Sequence, residues 1–196
     1  MNYLFVDLET TGLDFVQNQI IEVGMVITNH LFQPLDTLNV IVKSDDADWT
    51  NVLEVVQNMH KDNGLWQASL ASSVTPAQAE QIFLKFINYS PWLGPQPVMC
   101  GNTVHFDREF LRVHMPELHD RFHYRNFDVS TLKQMLLAAL PEWEFPPQTD
   151  VHRAVPDCLE AAVLAGEFQA LFASLLQVED SQPNLLRRLV RRAEQS

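Results

Sequence analysis

The sequence predicts an α/β fold: a mixed sheet, made of an antiparallel meander plus parallel strands, flanked by helices. Three observations predict it. Three β-rich segments follow one another closely within residues 2–43. From Thr75 onward, helical periods alternate with short apolar strands. The chain has 196 residues, 46% hydrophobic and 19% charged, which suits one domain with a sizeable core.

Residues 2–8 read as the first strand, with Leu4, Val6 and Leu8 facing one way. A turn follows at Thr11-Gly12. Ile20 to Thr28, IIEVGMVIT, is β-branched and nearly continuous, the mark of a strand buried on both faces. Thr37 to Lys43 completes the meander. Thr75-Pro76-Ala77-Gln78 supplies an N-cap, a first-turn proline and a capping-box glutamine. The helix they open runs to about Ser90, with Ile82, Phe83, Phe86 and Ile87 inward. SPWLGPQP ends it. Val98 to Gly101 is a short strand, 104–113 a helix and Asn126 to Val129 another strand. Ser130 caps a helix to Leu140, which Pro141 stops. A loop at 141–152 leads into a last helix, 156–176.

The net charge is −12, from 13 basic and 25 acidic residues. Taken alone, that argues against a passive nucleic-acid binder, which should be basic. It is compatible with an enzyme that holds divalent cations between carboxylates. Two cysteines, Cys100 and Cys158, exclude a disulfide framework and a four-sulfur zinc site. The longest apolar run, Met135 to Leu140, falls far short of the ~20 residues of a membrane span. MNYLFVDLETTGLDF has no basic n-region, so no signal peptide is expected. The expected location is the cytoplasm, with reduced thiols.

The first strand ends Val6-Asp7-Leu8-Glu9, and period two puts Asp7 and Glu9 on one face. Paired carboxylates resist joint ionisation unless a cation lies between them, and a hard divalent ion is the natural occupant. Taken alone, D-x-E also describes a strand fraying into a solvated acidic loop. Asp107 opens the 104–113 helix, where the dipole favours an acid in any case. His152 and Asp157, in HRAVPD, flank the start of the last helix. The set of three elements carries more than any one of them.

That set resembles a known family. FVDLETTGLD, CGNTVHFDREFL and HRAVPDCLEA resemble the three exonuclease motifs of the histidine-bearing (DEDDh) branch of the DEDD 3′-to-5′ exonucleases. MPELHDRFHYRNFDVSTLK is similar to a stretch typical of oligoribonucleases. The resemblance spans roughly residues 3–176. It implies a ribonuclease H-like fold over an exonuclease domain, 1–176, followed by a basic C-terminal tail, 177–196. It implies two divalent ions, Mg²⁺ or Mn²⁺, held by Asp7, Glu9, Asp107 and Asp157, with His152 as general base. Two such ions, roughly 3.5–4 Å apart, neutralise the phosphate, activate water and stabilise the leaving oxygen. A histidine with an ordinary pKa of about 6.5 suits proton removal near neutrality.

The resemblance also implies substrate contacts. Leu13 matches a leucine that wedges between bases, though a core leucine would read the same. Thr103, Arg125, Ser130 and Thr131 match positions that cap the 5′ phosphate of a very short RNA. Tyr124 matches a tyrosine donated to the neighbouring subunit's site, which implies a homodimer. His60 matches a histidine near the active site. His105, His114, His119 and His123 match no catalytic position and are expected on solvated or dimer-facing surface. Val55 stands where the family has a tryptophan, and Phe106 stands where it has a glutamine, either as a stacking surface or as core. The tail holds Arg187, Arg188, Arg191 and Arg192. It reads as a basic amphipathic segment for RNA, a membrane surface or a partner, or as a solvated end.

The expected activity is a metal-dependent 3′-to-5′ exoribonuclease that degrades short single-stranded RNA, down to dinucleotides, to mononucleotides. The alternatives are a broader exonuclease acting on longer single-stranded RNA or DNA, and a non-catalytic module that kept the fold. Val55 and Phe106 keep the first alternative open. The presence of all four carboxylates and the histidine weighs against the second.

Overall fold

The computed structural model describes residues 2–145 and 151–177. Its five strands are β1 (Tyr3–Thr10), β2 (Ile20–Thr28), β3 (Pro34–Ile41), β4 (Met99–Gly101) and β5 (Asn126–Asp128). They form one mixed sheet in the order β3-β2-β1-β4-β5. β1 to β3 are an antiparallel meander, whereas β4 and β5 join parallel to β1. β2 is buried at every position, as its continuous apolar run requires. β1 extends two residues beyond its expected end, because Glu9 and Thr10 still pair with Glu22 and Ile20. β3 begins and ends earlier than expected, since Lys43 gives its amide to the Val74 carbonyl (2.7 Å).

The helices are α1 (Glu54–Asp62), α2 (Leu65–Ala71), α3 (Pro76–Tyr89), α4 (Val104–His114), α5 (Pro116–His119), α6 (Val129–Ala139) and α7 (Ala154–Gln177). α3 carries the expected cap, with Thr75 and Gln78 in a reciprocal capping box. Its buried stripe is Ala79, Glu80, Phe83, Leu84 and Ile87. Ile82 is exposed, contrary to expectation, because it lies off the i, i+4 row through 79, 83 and 87. α6 is capped by Asp128, not Ser130: the Asp128 carboxylate accepts the Ser130 amide (2.9 Å). α7 begins two residues earlier than expected, at Ala154.

Helices cover both faces of the sheet. Leu4, Val6, Leu8, Val23 and Met25 pack against Phe83 and Ile87 of α3 and Phe110 and Leu111 of α4. Phe5 and Val26 on the other face meet Cys158, Ala161, Ala162 and Ala165 of α7. The small α7 residues let the helix lie close to the strands. The approach is tightest at Gly24, where a Cβ would lie 2.6 Å from the Ala154 carbonyl carbon. Both cysteines are free and buried. No helix among the described residues is long and apolar enough to cross a membrane.

Candidate active site

The alternation of β1 sends Leu4, Val6 and Leu8 into one core and turns Asp7 and Glu9 to the α7 face. Gly24 pairs with Asp7 across the β1–β2 ladder and lets the start of α7 press against the sheet. Asp157, in the first turn of α7, thereby joins the pair. Carboxylate oxygens of Asp7, Glu9 and Asp157 all lie within 4.8 Å of one another. Asp107 adjoins this trio from the first turn of α4. Its Oδ1 accepts the amide of Leu8, the residue between the two β1 acids, at 3.0 Å.

The electrostatics are those of crowded, buried anions. Burial pushes Asp7 well above the usual carboxylate range, and Asp107, Glu9 and Asp157 push it further. Burial, then Asp157, raises Glu9 to about 8. Burial raises Asp107 to about 8 against the lowering effect of the Leu8 amide. Burial also raises Asp157, reinforced by Glu160 and opposed by His152.

The neighbouring guanidinium, Arg153, is committed to Glu22. Its Nε lies 2.9 Å from Oε2 and its Nη2 2.6 Å from Oε1. Glu22, fully buried, also accepts from Asn39 Nδ2 (2.8 Å) and the Ala154 amide (3.1 Å). Burial alone would raise Glu22, but these bonds hold its pKa below the ordinary value. The three-carboxylate cluster offers hard oxygen donors only, and its charge favours a cation. That donor set fits one or more divalent ions such as Mg²⁺ or Mn²⁺. Asp7, Glu9 and Asp157 are the direct candidates, with Asp107 beside them.

His152 is exposed, stands at φ 45° and shares a cleft with Met59, Asp62, Asn63, Val151 and Arg153. It is an electrostatic neighbour of both Asp157 and His60. His60 is fully buried beside the end of β1. Its Nε2 lies 3.0 Å from the Thr10 carbonyl, which braces the end of β1 from beneath, and burial lowers its pKa. Leu13 is 73% exposed, which excludes the core reading. Tyr124, 76% exposed, and Arg125 stack at the surface, with the guanidinium 5.4 Å from the ring centre. Thr103 caps α4 at φ 53°, and its amide donates to Asp128 (3.1 Å) and Ser130 Oγ (3.3 Å). Ser130 Oγ in turn donates to Asp128. Thr131, exposed, lies one residue further along α6.

Phe106 sits at the core edge, packed on Phe15 and Phe110. Val55 is exposed on α1. His114 is not a free surface histidine: it stacks on Phe110, and its Nε2 lies 2.9 Å from the Phe15 carbonyl. The arginines of the tail lie outside the described residues. Sequence reasoning missed Glu22, Asn63 and Asp128. Glu22 did leave a signal, as a lone acid in a strand read as buried on both faces, where an unpaired charge is prohibitive.

The exonuclease family RNase_T matches residues 4–165. The oligoribonuclease of Chromobacterium violaceum is 36% identical over 162 residues, covering 82% of this chain and 89% of that protein. The human mitochondrial oligoribonuclease is 37% identical over 161 residues, covering 81% of this chain and 68% of that protein. Among solved structures, cell-death related nuclease 4 matches with a TM-score of 0.65 at 13% identity, over 87% of this chain and 64% of that one. Escherichia coli exonuclease I, in complex with a dT13 oligonucleotide, matches with a TM-score of 0.65 at 17% identity, over 91% and 44%. These two likenesses show the fold, a ribonuclease H-like mixed sheet. With the motif carboxylates converging at the end of β1, the chain belongs to the oligoribonuclease family of the DEDD exonuclease superfamily.

Proposed function

We propose that this protein is a divalent-metal-dependent 3′-to-5′ exoribonuclease that degrades short oligoribonucleotides, down to dinucleotides, to nucleoside monophosphates. The convergence of Asp7, Glu9 and Asp157 in a chain of this family carries the proposal. Asp7, Glu9, Asp107 and Asp157 would hold two ions, Mg²⁺ or Mn²⁺. Bound there, such ions supply charge neutralisation at the phosphate and a water acidic enough to attack near neutral pH. His152, from the cleft side, would take a proton from the attacking water as the water's oxygen bonds to phosphorus. The P–O3′ bond of the penultimate nucleotide then breaks. Its O3′ takes a proton from solvent, His152 returns its own to solvent, and the terminal nucleotide leaves with a 5′ phosphate.

Leu13, exposed on the loop after β1, would wedge between bases. Arg125, with Thr103, Ser130 and Thr131 near the starts of α4 and α6, would cap the 5′ phosphate through charge-assisted bonds. Exposed Tyr124 would reach the site of a second subunit in a homodimer. The chemistry would reside in residues 1–176, with 177–196 as an appended basic tail, in a cytoplasmic enzyme. His60 contributes by bracing β1, not by touching RNA.

The test is nucleotide release from a labelled RNA dinucleotide and a labelled 20-mer, with and without EDTA. Cleavage of the dinucleotide that is faster than that of the 20-mer and abolished by EDTA is expected. A 20-mer preference would replace this reading with the broader exonuclease. EDTA-resistant release would remove the metal.

A further inference from the structure

His152 has a backbone in the left-handed region, φ 45°, without being glycine. Such a conformation persists only where surrounding contacts over-determine it, and it is often found where a side chain must be aimed. Two contacts flank it. On one side, Asn63, at the C-terminal end of α1, donates from Nδ2 to the His152 carbonyl at 2.7 Å and more weakly to Val151 at 3.4 Å. Asn63 is itself fixed, because its Oδ1 accepts the Leu65 amide at 3.0 Å. On the other side, Arg153 is locked onto buried Glu22, which also takes the Ala154 amide. The histidine is thus strung between a helix end and a buried ion pair, and it lines the shared cleft.

We propose that Asn63 is a positioning residue for His152: its side-chain N–H holds the His152 carbonyl, and the Glu22–Arg153 pair anchors the next residue. This rests on the reading of His152 as the general base. A donor to the backbone leaves the imidazole free, so it sets where the ring lies without consuming either ring nitrogen. A misplacement of the order of 1 Å can cost about 10²-fold in rate.

Two variants separate this role from the capping of α2. Asn63→Asp keeps the oxygen for Leu65 and loses the N–H. Asn63→Ser keeps a neutral oxygen and is too short to reach His152. Each should lower kcat by about 10-fold to 10²-fold, with KM and Mn²⁺ affinity unchanged. In a His152→Ala background the same substitutions should change kcat little, because a residue acting through another loses its effect when that other is gone. In the metal-free protein, the His152 ring C–H resonance should be single in wild type and broadened or split in both variants. It is assigned by its absence in His152→Ala. Equal losses in both backgrounds, unchanged kcat, or an unchanged ring resonance would each overturn the proposal. A His152→Ala enzyme that loses no rate would sink the base reading and this inference with it, and it is recognised by the single variant alone. Circular dichroism checks folding, and either variant that folds carries the test.

Discussion

Asp107, from the first turn of α4, accepts the backbone amide of Leu8 at 3.0 Å, between the two acids of β1. The mid-chain carboxylate is therefore fastened to the strand that carries Asp7 and Glu9. This contact splits two roles that one residue carries. Asp107→Asn can still present an oxygen to Leu8 and should unfold within about 1 kcal/mol of wild type, while nuclease activity collapses with the lost charge. Asp107→Ala strands the Leu8 amide in a buried site and should cost a further ~1–3 kcal/mol. Thermal unfolding beside the release assay checks both. Equal stability of the two variants would remove the structural role.

Stability of the metal-free protein should fall as pH rises. Asp7, Glu9 and Asp107 have folded-state pKa values raised above their unfolded ones, to about 8 for Glu9 and Asp107. Between their ordinary range near 4 and about 8, the folded chain holds more protons than the unfolded chain, so unfolding free energy decreases with pH. Metal binding must expel those protons, so it should tighten from pH 6 to pH 8. At a hundredfold excess over Kd, Mn²⁺ should stabilise by about 2.7 kcal/mol, or about 5–10 °C in Tm at this size. Scanning calorimetry with EDTA and with Mn²⁺, at pH 6 and pH 8, measures the sign. A metal-free Tm that rises across this window contradicts the argument.

His152→Ala should lower kcat by roughly 10² to 10⁴, the usual worth of a general base. Single-turnover release by the folded variant measures it, and a rate within a few-fold of wild type would mean that another group takes the proton.

Tyr124, exposed next to Arg125, should act across a two-fold interface. Sedimentation should then give a dimer. Mixing Tyr124→Ala with Asp7→Asn subunits should restore one competent site per heterodimer, in which the first subunit's carboxylates meet the second subunit's tyrosine. Absence of recovery after proven subunit exchange would locate Tyr124 outside the neighbour's site.

Arg125→Ala should slow cleavage of a 5′-phosphorylated dinucleotide much more than that of a 20-mer. A charge-assisted bond to a terminal phosphate is worth about 1.5–3 kcal/mol, and 1.4 kcal/mol is about tenfold in kcat/KM. Equal losses on both substrates would show that the arginine does not read the chain end.

Much of the site was legible because its residues obey local rules. Period two alone puts Asp7 and Glu9 together, and helix-start logic locates Asp107 and Asp157. What was not legible depends on distant chain. Nothing local to Asn63 announces His152, 89 residues away, and Arg153 and Glu22 meet across 131 residues. α1 escaped notice because only His60 on it is buried and Val55 is exposed, so no apolar stripe marks it. Ser130 suits a cap by its chemistry, but Asp128, two residues earlier, has the better reach.

Gly24 gives this architecture an unexpected control point. It carries no chemistry, yet a Cβ there would run into the backbone of Ala154 and Val155 at 2.6–2.7 Å. Relief would require the start of α7 to back away from the sheet, and Asp157 travels with that helix. The gap between the third-motif acid and the two on β1 is therefore gauged by the thickness of a bare backbone. Changes in the metal preference of this enzyme could arise at a position that never touches an ion, with every ligand left in place.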